Sequence, residues 1–257
     1  MAATFAGFVV LAAERGEAVH LSAQLVSTYL REATARTLMI ALTPLGVWQR
    51  SPAAIVADDE VRPVPVLLLH DDQWNRASVG FLRTFLVHRG FKWVWAANWS
   101  TGDMSIAEHA ETVGKLVGDL MAASGASKID IVGHGTGGLI AAWYVRHLND
   151  QHVRRLVTMA TPWKGTKMAV FRPGRLSVDI GPGAPILDGL TPPPIPTTCV
   201  WSPDDPAIVP SGSALPDAGV DSVCLDGGGH LEMLVSARAF RAVKAALSQP
   251  LTKQVDS

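Results

Sequence analysis

Beyond position 63 the chain alternates short apolar runs with amphipathic segments. The runs at 64–70, 92–98, 128–133, 155–160, 197–201 and 222–225 are mostly rich in Val, Ile, Leu or Trp, and they predict strands buried on both faces. Between the second and third, Ile106, Ala110, Val113, Val117 and Leu120 recur at steps of four and three, with Leu116 and Met121 widening the stripe. That spacing predicts an amphipathic helix, with Ser105 and Glu108 as a capping box at its start and Gly125 as its stop. Strands alternating with helices are the pattern of a parallel sheet covered on both faces. Upstream, Val19, Leu21, Leu25, Leu30, Ala33, Leu38 and Leu42 fall in a stretch without Pro or Gly and predict one or two N-terminal helices. Residues 171–196 hold seven prolines and read as a loop or lid. The expected organisation is a helical extension over 1–62, a main domain over 63–250 and a tail over 251–257.

Composition narrows the class. With 257 residues, 48% of them apolar and 18% charged, the chain can bury one sizeable core. A formal net charge of −1 and the lack of any basic run exclude an electrostatic nucleic-acid binder. Cys199 and Cys224 are too few for a disulfide framework and lack metal-binding spacing, so both are expected as buried thiols, and no metal or cofactor is expected. The apolar run at 5–13 is too short to span a bilayer and is followed by Glu14, Arg15 and Glu17; a second, at 37–48, is broken by Pro44. A cytoplasmic chain is expected. Its N-terminal segment would pack on the core or on a protein partner, with peripheral membrane contact left open.

The candidate chemistry begins at KIDIVGHGTGG, residues 128–138, where an apolar strand runs into a glycine-rich turn followed by a helical stretch at 139–148. In a nucleophile elbow, G-x-S-x-G, small flanking residues let a tight strand-to-helix turn lift one side chain above the sheet. Gly133 and Gly137 occupy the flanks, and position 135 itself is glycine. A phosphate-binding loop fits less well, because no Lys-Ser or Lys-Thr pair follows.

Around this elbow the chain resembles bacterial triacylglycerol lipases and related esterases of the α/β-hydrolase superfamily. The resemblance runs over roughly residues 63–247. It rests on PVLLLHDDQWNR at 65–76, VRRLVTMATPWKGT at 153–166, CVWSPDDPAIVP at 199–210 and DGGGHLEML at 226–234, in the family's order. It implies an α/β-hydrolase fold with a mostly parallel central sheet flanked by helices. It also implies an acid at Asp205, with Asp204 as the other register, a histidine at His230, and Gly135 at the nucleophile position. The acid would hold the imidazole in one tautomer while the imidazole activates a hydroxyl, and Gly135 has none.

The resemblance further implies an oxyanion hole from the backbone N–H groups of Thr136 and Asp72. Here the family's usual glycine after the strand histidine is replaced, so that the loop reads His70, Asp71, Asp72. Carboxylates there oppose a developing negative charge unless they point away or are protonated. Among the other histidines, His134 fills the variable elbow position, while His88, His109, His147 and His152 read as surface residues. Eight Trp beside two Tyr is an unusual ratio. Trp74, Trp99, Trp163 and Trp201 fall at or after strand ends, where α/β folds place their crevice, and Trp74, Trp163 and Trp201 are the candidates to line an apolar pocket. The resulting expectation is a lipase-like protein without serine-hydrolase activity that binds a hydrophobic or acyl ligand or a protein partner. The alternatives are a weak or serine-independent hydrolase built on Asp205 and His230, or a lipase inactivated at its active site.

Overall fold

The computed structural model describes residues 2–16, 23–49, 51–52, 64–99, 103–190, 194–216 and 218–250. Two N-terminal helices, α1 (Ala2–Glu14) and α2 (Ala23–Leu42), precede an alternation of strands and helices. In chain order these are β1 (Val66–Leu69), α3 (Gly80–His88), β2 (Val94–Ala97), α4 (Ile106–Ser124), β3 (Ile129–His134), α5 (Thr136–Trp143) and β4 (Val153–Met159). They continue with α6 (Arg175–Asp179), β5 (Thr197–Trp201), β6 (Asp221–Cys224) and α7 (Ala237–Ser248). Among the described residues six parallel strands form one sheet in the order β2-β1-β3-β4-β5-β6. The fold is that of the α/β hydrolases.

Each strand lies within two residues of the apolar run that predicts it, because runs of Leu, Ile and Val between turn residues have few other places to go. The four inner strands are almost entirely buried. β6 differs from the expectation of burial on both faces: it is an edge strand with β5 as its single neighbour, and Asp221, Ser222 and Cys224 are exposed. Cys224 is therefore an exposed thiol and Cys199 a buried one. α4 carries the full capping box at Ser105 and Glu108 and ends at Gly125 in a left-handed conformation. His109 on this helix is fully buried, not at the surface as expected, because the Trp99 ring packs edge-on against it at 4.9 Å.

The N-terminal extension is part of the core. Ala35 and Met39 of α2 join the apolar cluster on one face of the sheet, and Leu11 of α1 packs with Met168 and Val209. At Gly7 any side chain would collide with the Pro206 carbonyl, so α1 lies backbone to backbone against the loop after β5. No described helix is long and apolar enough to cross a membrane. Within the sheet, the chain leaves β1 toward β2 on one side and β3 toward β4 on the other. The crevice that opens at such a switch of direction, beyond the strands' C-terminal ends, holds the site described next.

Candidate active site

The elbow after β3 is built for close approach. A Cβ at Gly133 would stand 2.5 Å from Gly138 Cα, so the strand and the following helix can turn this sharply only without a side chain there. Gly135 follows with φ +57° and ψ −127°, a backbone state that strains other residues. A Cβ on Gly135 would lie 1.9 Å from Asp71 Oδ2. The Asp71 carboxylate thus fills the space into which a side chain at position 135 would project.

The base side of the crevice is assembled from the ends of β5 and β6. His230 Nδ1 lies 2.8 Å from Asp205 Oδ2, both residues being buried. Asp204 turns away, to Arg15 at 3.2 Å and the Gly227 N–H at 2.8 Å. On its other side His230 Nε2 faces Asp71 Oδ2 at 3.7 Å. Burial alone would lower the imidazole's pKa, but Asp205 and Asp71 outweigh it and raise it to about 10. His134 is not merely a filler of the elbow: its ring packs 4.7 Å from that of His230, with Nε2 3.1 Å from the His230 carbonyl. Burial, reinforced by the charge on His230, lowers its pKa to about 4.

Both backbone donors expected of an oxyanion hole are engaged. The Thr136 N–H donates to Asp71 Oδ2 at 3.2 Å, and the Asp72 N–H donates to Thr136 Oγ1 at 2.9 Å. Thr136 Oγ1 in turn donates to Asp72 Oδ1. Asp71 points into the crevice, and the charge problem this raises is solved by a residue that sequence reasoning missed. Arg172, buried in the loop before α6, places its guanidinium 3.1 Å and 3.3 Å from the two Asp71 oxygens and also pairs with Asp72. Burial would raise the Asp71 pKa, but Arg172 and His230 hold it well below the usual carboxylate range. Asp72, pushed up by its own burial and by Asp71 beside it, stands at about 7. A signal for Arg172 existed, since two adjacent carboxylates in a crevice need a cation, and residues 171–196 contain only two, Arg172 and Arg175.

A residue with no sequence signal at all is Glu32 on α2. Its buried carboxylate accepts the Leu231 N–H at 2.9 Å and the Glu232 N–H at 3.0 Å, fixing the loop that carries His230. Of the candidate pocket tryptophans, Trp74 borders a cavity of about 200 Å³ beside His230. Trp163 is buried in the core, its indole N–H 3.3 Å from Thr158 Oγ1, and Trp201 packs against the cluster on the α2 side of the sheet. Neither lines that cavity. Trp99 is fully buried, donates to the His70 carbonyl at 2.9 Å and stacks on its ring.

For a metal the relevant donors are Asp71, His134 and His230, whose ligand atoms lie within 4.8 Å of one another. These are donors that suit zinc. Arg172 already neutralises Asp71, however, so a cation there would face a guanidinium.

A strand-turn-helix elbow thus stands opposite a His–Asp pair on a parallel sheet of the α/β-hydrolase fold. Residues 88–176 match a family model described as alpha/beta hydrolase fold. The chain is 32% identical over 138 residues to a triacylglycerol lipase of Burkholderia plantarii, a match covering 50% of this chain and 38% of that one, so the chain matches well under half the length of that curated relative. Among solved structures it resembles a Bacillus licheniformis lipase (TM-score 0.66, 12% identity, 78% of this chain and 98% of that). It also resembles Aspergillus fumigatus lipase B (0.62, 16%, 76% and 56%) and a Bacillus subtilis carboxylesterase (0.52, 14%, 86% and 99%). Lipases and esterases are thus its neighbours in fold.

Proposed function

We propose that this chain is a lipase/esterase-like protein that has lost serine hydrolysis and uses its crevice to bind a hydrophobic or acyl ligand. The observation that carries this reading is the overlap of Asp71 with position 135. The nucleophile is missing, and its place is taken by a carboxylate that also occupies the Thr136 N–H. Losing the serine of a triad costs on the order of 10⁶ in kcat, and the residual rate of such variants comes largely from the oxyanion hole, whose two donors here bond to Asp71 and Thr136. A serine-independent hydrolase is the second reading, supported by the 2.8 Å bond between His230 and Asp205. It requires a neutral imidazole, and with a pKa of about 10 His230 is protonated near pH 7 and has no lone pair with which to accept a proton.

Hydrolysis of p-nitrophenyl esters of short and medium acyl chains tests the proposal on the wild type, Gly135→Ser, and Gly135→Ser combined with Asp71→Gly. The first two are expected to be silent, the single variant because Asp71 still fills the space. The double variant is expected to gain turnover. Wild-type turnover abolished by His230→Ala would overturn the proposal in favour of the second reading.

A further inference from the structure

The cavity beside His230 is walled partly by the N-terminal helices. Thr4 of α1 and Glu32 and Arg36 of α2 border it, together with Trp74, Phe171 and His230. Among the described residues, two of these carry a buried donor with no hydrogen-bond partner, Thr4 Oγ1 and Arg36 Nε, while His230 Nε2 faces Asp71 Oδ2 at 3.7 Å. Buried polar atoms in native proteins are nearly always paired, so two orphans around one small cavity, one from α1 and one from α2, point to an acceptor that belongs there.

Charge defines that acceptor. No carboxylate among the described residues pairs with Arg36; its guanidinium carbon stands 5.8 Å from the centre of the Trp74 ring. The two acidic residues that border the cavity are committed elsewhere, Glu32 to the Leu231 and Glu232 N–H groups and Asp71 to Arg172 and Thr136. One cation is left over, which suits a monoanion. A dianion such as phosphate would face Glu32 and Asp71 across the same space. Trp74, Met168 and Phe171 supply apolar wall, and about 200 Å³ holds roughly seven heavy atoms at about 30 Å³ per water-sized group.

We propose that this cavity binds a short-chain monocarboxylate, its carboxyl group held by Arg36 and Thr4 and its tail lying along Trp74, Met168 and Phe171. The proposal deepens the binding function argued above and rests on it. The carboxylate is received by the N-terminal extension, not by the oxyanion donors, which Asp71 and Thr136 occupy.

Titration calorimetry of the full chain with pentanoate, pentanamide and inorganic phosphate in a carboxylate-free buffer tests it. Pentanoate is expected to bind saturably at one site, with the isosteric amide and phosphate at least tenfold weaker. Arg36→Met is expected to weaken pentanoate at least tenfold and leave pentanamide unchanged. Equal affinity for pentanoate and pentanamide, or no saturable pentanoate binding, overturns the proposal on the wild type alone, whether or not the variant folds. Ester turnover in the assay above would overturn the non-catalytic reading instead, and the ratio of pentanoate to pentanamide affinity would still decide this one.

Discussion

The two halves of the crevice are built differently. At the ends of β5 and β6, Asp205 and His230 keep the contact by which a carboxylate orients an imidazole, 2.8 Å apart and buried. At the ends of β1 and β3, Asp71 takes the space beside Gly135 and the Thr136 N–H, Thr136 Oγ1 takes the Asp72 N–H, and Arg172 pairs with both carboxylates. One half keeps a buried His–Asp contact; the other is filled by an ion-pair cluster whose Asp71 adds to the charge that Asp205 already holds on the imidazole. A His–Asp pair is therefore not by itself a sign of hydrolysis, because the charge on His230 is held first by Asp205 beside it and then by Asp71 across the crevice.

The largest way to break this contrast is to remove the cation that makes the filled half possible. Arg172→Met leaves Asp71 and Asp72 buried together without compensation, and losing one partner of a buried ion pair costs about 3–5 kcal/mol. Urea unfolding is expected to register a loss of that order, and adding Asp71→Asn and Asp72→Asn is expected to restore most of it. A loss below about 1 kcal/mol in the single variant would mean that the cluster is not what fills the crevice.

The second way is to titrate the histidine. Its folded pKa, about 10, lies above the unfolded value of about 6.5, so the stability it contributes is fully present below pH 6.5 and is lost as pH rises through 10. The wild-type melting temperature is expected to fall across that window, by an amount corresponding to a few kcal/mol. His230→Asn is expected to show a flatter profile that approaches the wild type near pH 10. Parallel profiles would show that His230 is neutral in the folded protein, which would reopen general-base chemistry.

Gly135→Ser tests the filled half from the elbow. A non-glycine residue at φ +57° and ψ −127° carries strain of about 1–3 kcal/mol, to which the collision with Asp71 adds. The cost measured by chemical denaturation is expected to shrink in an Asp71→Gly background. Additive effects in that cycle would show that the two positions do not compete for space.

The sequence made the sheet legible because buried strands and the α4 stripe are written as apolar periodicity, and caps such as Ser105 and Gly125 are written as single residues. The resemblance likewise places Gly135, Asp205 and His230 after the ends of three strands. What lay beyond that reading depends on long-range packing. Asp71 is the next residue but one after β1, and no local pattern tells whether its carboxylate turns toward solvent or toward Gly135. Arg172 comes from a proline-rich stretch about one hundred residues away, and Glu32 reaches the histidine loop from a helix that reads as a separate extension. The exposure of Cys224 follows from β6 being the sheet edge, which depends on strand order and not on strand composition.

The smallest effect is expected at Glu32, and it sharpens the comparison by asking whether the histidine half depends on the N-terminal helices. Burial raises the Glu32 pKa, with His230 and the two backbone donors opposing that rise, so the desolvation penalty on the ionised form outweighs what these bonds return. Glu32→Gln keeps one acceptor oxygen for the Leu231 and Glu232 N–H groups and is expected to cost no more than about 1 kcal/mol. Glu32→Ala orphans both buried donors and is expected to cost about 1–3 kcal/mol. The distinguishing readout is amide hydrogen exchange. If α2 holds the histidine loop through this carboxylate, the Leu231 and Glu232 amides exchange faster in Glu32→Ala than in Glu32→Gln, while amides in β3 and β4 stay protected. Equal protection of the two loop amides in both variants would mean that the loop is held by its own turns and that the extension only covers it.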